Sequence, residues 1–155
     1  MNSISRIVVT VLALAFTVAA TVSHGDAGNP VIPTATDPYF IAARKAIDAK
    51  EWKKAIDLLN KVTVNADVHN YLGYAYRHLG DFEQAFHNYK RALEIDPKHR
   101  GAHEYVGEAY LLTNNPAKAQ DHLAALKRLC GDCEEYRDLL GAIADYKKKG
   151  VAKSK

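Results

Sequence analysis

The sequence predicts an all-α fold in which about three helical hairpins stack side by side and a C-terminal helix caps the last hairpin. Apolar residues recur three and four positions apart in each predicted helix, which is the spacing of an amphipathic helix. A block of sequence also recurs at one constant spacing, of the length typical of stacked helix pairs. A chain of 155 residues, 48% hydrophobic and 25% charged, suffices for one small globular domain of this kind.

The repeat is clearest between the segment that starts at Val68 and the segment that starts at Gly101. Four pairs of small or aromatic residues lie 34 positions apart: Gly73 and Gly107, Ala75 and Ala109, Tyr76 and Tyr110, and Ala85 and Ala119. A weaker copy precedes them, because Trp52 and Ala55 lie 30 positions before Phe82 and Ala85. Ala43 occupies the place of Gly73 in that first copy.

Capping residues and helix breakers set the limits of seven helices. Asp37, Asp81 and Asn115 are predicted N-caps, and Gly80 is predicted to end the third helix. Asp132 is predicted to cap the last helix, with Glu135 as its capping-box partner. The predicted helices run from Pro38 to about Ala49, Glu51 to Val62, Asp67 to Leu79, after Asp81 to Ile95, Lys98 to Leu112, Pro116 to Cys130 and Cys133 to Lys147.

Glycine inside a helix lowers helix stability by about 1 kcal/mol relative to alanine, so Gly73 and Gly107 require a structural explanation. We expect them at places where paired helices approach too closely for a side chain. The aromatic residues near them are predicted to fill the core between helices. They are Tyr76, Phe82, Tyr89 and Tyr110.

The central unit resembles the tetratricopeptide repeat family, whose signature it matches in order at Leu72, Gly73, Tyr76, Gly80, Phe82, Ala85, Tyr89, Ala92 and Pro97. The third unit keeps Val106, Gly107, Tyr110, Ala119 and Leu123 but has Gly131 in place of the proline, and the first unit is degenerate before Ala43. The resemblance extends from Asp37 to about Tyr146. It implies a right-handed solenoid that acts as a non-enzymatic scaffold for a protein or peptide partner.

In that family the first helix of each pair lines a concave groove. The resemblance places the candidate binding residues on those helices, namely Phe40, Arg44 and Asp48, then Asn70, Tyr74, Arg77 and His78, then Glu104, Glu108 and Leu111. Their mixed charges suit a peptide or an extended segment. The paired lysine and asparagine clamp that holds a C-terminal carboxylate in some family members is not evident.

The chain is expected to be organised as an exported protein. The apolar run from Ile7 to Ala20 follows Arg6 and is too short to cross a bilayer core of about 30 Å. It predicts a signal peptide cleaved after Ala20 or Ala27, and hence a periplasmic or secreted protein. The predicted ranges are the signal peptide 1–27, a flexible linker 28–36, repeat units 37–65, 66–99 and 100–131, a capping helix 132–146 and a lysine-rich tail 147–155.

The charge pattern argues against a nucleic-acid partner. The net charge of +3 owes much to the five lysines of the tail, and the body of the chain is slightly acidic. Nucleic-acid binding requires a broad basic face, which this body lacks. Membrane contact is expected only through the signal segment, with the lysine tail as an open alternative, and self-association also stays open.

Cys130 and Cys133 form a Cys-x-x-Cys pair. Glu134 stands where haem attachment requires histidine, and acidic neighbours disfavour a reactive thiolate. A structural disulfide is therefore expected, while an accessory role in envelope thiol or metal handling stays open as the alternative. No metal, no cofactor and no enzymatic activity is predicted: His69 and His103 occupy equivalent repeat positions, which points to packing, and no catalytic motif stands out.

Overall fold

A computed structural model describes residues 34–153 of the chain. The predicted signal peptide and most of the predicted linker lie outside these residues. Within them the prediction of an all-α fold is confirmed, and no strand occurs. The helices are α1 Pro38–Asp48, α2 Trp52–Leu59, α3 Ala66–Leu79, α4 Phe82–Ile95, α5 Arg100–Leu112, α6 Pro116–Cys130 and α7 Glu134–Lys153.

The helices pack as successive hairpins. Helices α1 and α2, α3 and α4, and α5 and α6 form the three pairs, and α7 packs against both helices of the last pair. The first helices of neighbouring units also touch, α3 with α5 and α5 with α7. This order confirms the predicted solenoid of helical hairpins with a C-terminal helix on its last unit, and it places α3, α5 and α7 side by side.

The buried apolar residues form three clusters along the stack. The first joins the first hairpin to α3, around Leu59 and Val68. The second lies between α4 and α5, around Tyr89 and Val106, and the third joins α5, α6 and α7, around Leu126. Each helix therefore buries its apolar side against a neighbour along the chain, which is how a stack of repeats builds a continuous core.

Three of the four predicted N-caps, Asp37, Asp81 and Asn115, are confirmed. The Asp37 carboxylate accepts hydrogen bonds from the amides of Tyr39 and Phe40 at 2.8 and 3.2 Å. Asp81 and Asn115 accept from the third residue of their helices at 3.1 and 3.4 Å. Helix α5 begins at Arg100, slightly later than predicted, because the ring of His99 caps it by accepting from Ala102 N at 3.1 Å.

Each turn inside a hairpin places one residue in the left-handed region. These residues are Lys50, Gly80 and Asn114, with φ of 59°, 80° and 60°. They lie 30 and 34 positions apart, which is the spacing of the repeats. Only Gly80 could be predicted from the sequence to be left-handed. Lysine rarely adopts this conformation, and asparagine adopts it only moderately often.

The two helical glycines lie at close approaches, as predicted. A Cβ atom on Gly73 would lie 2.6 Å from Cε1 of the buried Tyr89 ring. A Cβ atom on Gly107 would lie 2.6 Å from Cδ2 of Leu139. The first approach is inside one hairpin, whereas the second is to α7, so the repeated glycine serves two different neighbours.

Several predicted boundaries differ from the structure: α2 ends at Leu59 and not at Val62, and α3 begins at Ala66, one residue before the predicted Asp67. Thr34–Thr36, at the end of the predicted linker, form a short 3₁₀ helix. Helix α7 continues to Lys153, into the predicted lysine-rich tail, because lysine and alanine favour helix and Gly150 alone does not end it. Within residues 34–153, no helix has both the length and the apolar character needed to cross a bilayer.

The start of α7 also differs from the predicted capping box. The helix begins at Glu134, so Asp132 lies two positions before its first residue. Both the carbonyl and the carboxylate of Asp132 face the guanidinium of Arg137, at 2.6 and 3.4 Å. Asp132 therefore braces the turn from outside the helix through Arg137.

Candidate functional site

Two of the predicted binding residues meet between α3 and α5. The guanidinium of Arg77 forms an ion pair with the Glu108 carboxylate at 2.5 Å. The same guanidinium lies over the rings of Tyr74 and Tyr105, 5.1 and 5.7 Å from their centroids. Because Arg77 is largely buried, this ion pair and these cation–π contacts are shielded from water and fix the relative position of α3 and α5.

A pocket of about 440 Å³ opens where this ion pair meets α7. Its walls combine an apolar strip with charged groups at the edges. We call it the α3–α5–α7 groove. It is lined by Arg77, Glu108, Leu111, Leu112, Ala142, Asp145, Tyr146 and Lys149.

The wall of the groove contributed by α7 is held in place by Tyr146. Its hydroxyl donates a hydrogen bond to the side-chain oxygen of Asn114, in the turn between α5 and α6. Leu112, next to that turn, is 62% exposed. The groove therefore offers an accessible apolar side chain beside a fixed aromatic wall.

Glu104 lies one helical turn before Glu108 and is only 9% exposed. Burial is the largest cause that raises the pKa of Glu104, to about 8. The negative charges of Glu108, Asp138 and Glu135 act in the same direction. Arg77 opposes them, but its guanidinium is paired with Glu108.

Asn70 occupies the position on α3 that Glu104 occupies on α5, one repeat later. It is 4% exposed, and its Oδ1 atom has no hydrogen-bond donor among the described residues. Its Nδ2 atom lies 3.2 Å from where a Cβ on Gly101 would be. A side chain at Gly101 would therefore press on Asn70, so the glycine makes room for a buried amide at this end of the site.

Tyr74 and His78 lie in an aromatic group at the other end of α3. The indole of Trp52 stacks on the His78 ring at 4.3 Å with an angle of 10°. Tyr74 contacts His78 at 4.5 Å and Tyr105 at 4.8 Å between ring centroids. Burial lowers the pKa of His78, and Arg77 and Lys50 lower it too, which favours the neutral ring in this stack.

The predicted residues of α1 lie elsewhere. Phe40 is 5% exposed and packs edge-on against Tyr71 within the first core cluster. Arg44 and Asp48 are exposed and line a separate pocket of about 190 Å³. The structure therefore does not place the α1 residues in the walls of the α3–α5–α7 groove.

Sequence reasoning missed the contribution of α7. The sequence predicts that helix only as a cap, yet it forms one wall of the groove. The repeat spacing could have predicted this wall, because Asp138 and Tyr146 lie one repeat period after Glu104 and Leu112. Extending the repeat by one more first helix would have placed Ala142, Asp145 and Tyr146 at the positions of Glu108, Leu111 and Leu112, which line the groove.

The two cysteines are joined in a disulfide. It links the end of α6 to the start of α7 across Gly131, whose φ of 72° ends α6 as predicted. Glu135 brings a carboxylate within 4.8 Å of both sulfur atoms, but sulfur atoms bonded to each other are not thiolate ligands for a metal. The expected structural disulfide is thus the state found.

The fold is thus that of a helical-repeat protein, with a groove between the first helices of its last units. The family model described as tetratricopeptide repeat matches residues 66–99. The match covers the α3–α4 hairpin, so this unit of the chain is a tetratricopeptide repeat. No curated protein sequence matches it significantly. Repeats of this family generally mediate protein–protein interaction and are typically non-enzymatic scaffolds.

Proposed function

We propose that the protein is a non-enzymatic adaptor of the cell envelope that holds an extended segment of a partner protein in the α3–α5–α7 groove. The observation that carries this proposal is the groove itself. It combines an exposed apolar residue, Leu112, with a fixed aromatic wall and a buried ion pair. Sites that bind ligands combine apolar walls with a few well-placed polar groups in this way.

The first test compares two apolar residues of similar exposure. Leu112 lines the groove, whereas Ile95, which is 46% exposed, ends α4 and is outside the groove lining. We expect Leu112→Asp to lose a partner that the wild-type protein retains in a crosslinking pull-down from native envelopes, and Ile95→Asp to keep it. If both variants are folded and retain the partner equally, the partner does not bind in the groove.

The cysteine pair tests the alternative of an accessory factor in thiol or metal handling. A loop this short gives a disulfide contribution of about 2 kcal/mol in the chain-entropy model. The double variant Cys130→Ser and Cys133→Ser is therefore expected to unfold more easily while still capturing the partner. Loss of partner capture in a well-folded double variant would favour the thiol role over the adaptor role.

The envelope location is supported by the predicted signal peptide and by the disulfide, because disulfides persist in oxidising compartments. We expect the mature protein, isolated from the envelope fraction, to begin at Thr21 or Gly28. Intact mass measurement checks this start. A full-length protein found only with the cytoplasmic fraction would contradict the location and leave the groove test unaffected.

A further inference from the structure

A second pocket, of about 380 Å³, lies between the second helices α4 and α6, where α5 packs against both of them. Val106 and Tyr110 line it from α5, and helical periodicity places them on the side of α5 opposite the α3–α5–α7 groove. We call it the α4–α6 pocket. We propose that it takes a tyrosine or tryptophan side chain of a protein partner, whose O–H or N–H group donates a hydrogen bond to Nε2 of His122. The pocket shares no lining residue with the groove, so this inference goes beyond the proposed function.

The walls of the α4–α6 pocket are aromatic and aliphatic. The rings of Phe86 and Tyr110 lie 4.7 Å apart between centroids, and the Tyr110 ring stacks on the ring of His122 at 5.7 Å. Leu93 and the buried Val106 add aliphatic surface to the lining. Aromatic rings attract another ring, edge-on or offset, beyond the gain from burying its surface. The walls therefore favour an aromatic ligand.

The charged residues of the lining leave no free charge for the ligand. Lys90 and Glu94 lie one helical turn apart on α4, with Nζ and Oε1 3.7 Å from each other. Glu94 also accepts a hydrogen bond from Arg91. Burial, and next the charge of His103, lower the pKa of His122 to about 4, so its ring is neutral at pH 7. A pocket of this kind favours an uncharged side chain over lysine, arginine or an acid.

His122 provides a hydrogen-bond acceptor that the protein does not use. Nε2 of His103 donates to the Pro97 carbonyl at 3.1 Å, so Nδ1 of the neutral His103 ring accepts. The hydrogen bond of 2.9 Å between the two Nδ1 atoms is therefore donated by His122. A neutral imidazole carries one N–H, which makes Nε2 of His122 an acceptor, and no described residue donates to it. His122 lines the pocket, so Nε2 is the ring nitrogen left for a ligand.

The equivalent residue of the preceding unit has no such unused atom. Asn88 lies 34 positions before His122, and its Oδ1 atom accepts from His69 as His103 accepts from His122. Its Nδ2 atom donates to the Gln84 carbonyl at 2.9 Å, and the residue is only 6% exposed. Both ends of the Asn88 amide are thus bonded, whereas His122 is half-buried with Nε2 unbonded. The acceptor is therefore particular to the last hairpin and is not required for packing of the repeat.

These properties together select the side chain of the ligand. Phenylalanine would leave Nε2 of His122 without a donor, and serine or threonine would bring a donor without a ring. Tyrosine and tryptophan carry both a ring and an uncharged donor. Both residues are enriched in protein interfaces, where they anchor a partner by filling a pocket. Pockets of about 300–1,000 Å³ are typical of ligand sites, and the α4–α6 pocket has this size.

The test uses p-cresol and skatole, which are the side-chain analogues of tyrosine and tryptophan. Their methylated forms, p-methylanisole and N-methylskatole, keep the ring but cannot donate. Binding to the full-length protein is measured by NMR titration. We expect p-cresol and skatole to shift the signals of Tyr110 and His122, and the methylated forms to bind about three- to tenfold more weakly. His122→Phe should remove this difference, while His87→Phe, which changes an exposed histidine of α4, is the matched control and should keep it.

Equal affinity of each analogue and its methylated form for the wild-type protein would overturn the hydrogen bond to His122, and this comparison does not depend on a variant that folds. A difference that persists in folded His122→Phe would overturn it as well. Shifts at Leu112 and Tyr146 instead would place the analogues in the α3–α5–α7 groove and overturn the α4–α6 pocket.

Blocked peptides that carry one tyrosine or tryptophan identify the source of the ring. Binding that matches the free analogues, and is absent for the phenylalanine peptide, supports a partner side chain. Peptides that fail to bind while p-cresol or skatole binds would assign the pocket to a small molecule and overturn the protein partner. Each of these results leaves the pull-down test of Leu112 unaffected, so failure of this inference is distinguishable from failure of the proposed function.

Discussion

At the scale of single residues, backbone conformation and buried charge matter most. The three hairpin turns share one left-handed position but fill it with lysine, glycine and asparagine. Left-handed conformation costs a non-glycine residue roughly 1–2 kcal/mol, because Cβ crowds the following carbonyl. The same turn is thus strained at Lys50 and relaxed at Gly80.

Exchanging these residues should change stability in opposite directions. We expect Gly80→Ala to lower the free energy of unfolding by about 1 kcal/mol, and Lys50→Gly to raise it by about 0.5 kcal/mol. No atom lies within 4 Å of a Cβ placed on Gly80, so its cost is conformational and not steric. Urea denaturation measures both. A neutral Gly80→Ala would show that the turn can change its backbone conformation.

Glu104 should make stability fall as the pH rises. Its folded-state pKa of about 8 lies above the ordinary value of 4.5, so the folded protein holds a proton that the unfolded chain releases. The stability present below pH 4.5 is then lost as the pH rises towards 8. Glu104→Gln should be more stable than wild type at about pH 9 by about 1–2 kcal/mol, after allowance for screening by nearby water.

The measurement is urea denaturation at several pH values, with Glu83→Gln as the control of equal charge change. Glu83 is exposed, so its variant should follow the wild-type profile. If Glu104→Gln follows that profile as well, the carboxyl group is better solvated than its burial indicates.

At the scale of the elements, side-chain hydrogen bonds join the two helices of a hairpin. His69 Nδ1 lies 2.9 Å from Asn88 Oδ1, and one repeat later His103 Nδ1 lies 2.9 Å from His122 Nδ1. His103 Nε2 donates to the carbonyl of Pro97, so His103 Nδ1 accepts and His122 Nδ1 donates. This confirms that His69 and His103 share a packing role.

The histidine pair should make the last hairpin sensitive to acid. Burial, and next the charge of His103, lower the pKa of His122 to about 4 from 6.5. The folded state therefore binds fewer protons than the unfolded chain, and stability is lost as the pH falls from 6.5 towards 4. Allowing for partial exposure of the ring, we expect a loss of about 1–2 kcal/mol across this range.

His122→Asn is the matched variant, because it copies the pair of His69 with Asn88. It can keep the hydrogen bond to His103 while removing the titrating ring. We expect thermal unfolding of this variant to depend less on pH between about 4 and 6.5. An unchanged pH profile would show that other groups cause the acid sensitivity.

At the scale of the whole molecule, the repeat period predicted the fold well and the binding surface only in part. Caps and glycines mark helix limits locally, so Asp37, Asp81 and Gly80 were found from sequence. The ion pair of Arg77 with Glu108 joins two helices that are distant in the sequence, and no local sequence pattern predicts this pair. Helix α7 keeps Leu140 and Gly141 one repeat period after Val106 and Gly107. It carries Ala144 where Tyr76 and Tyr110 provide an aromatic residue, so its relation to the first helices is harder to see in the sequence.

The most direct test of the central claim places a photo-crosslinking amino acid at Leu112 and, in a separate protein, at Ile95. Leu112 lines the groove and Ile95 does not, while both are exposed and apolar. We predict that irradiation in native envelopes links one defined polypeptide to position 112 and not to position 95. Equal crosslinking at both positions, or at 95 alone, would contradict the account.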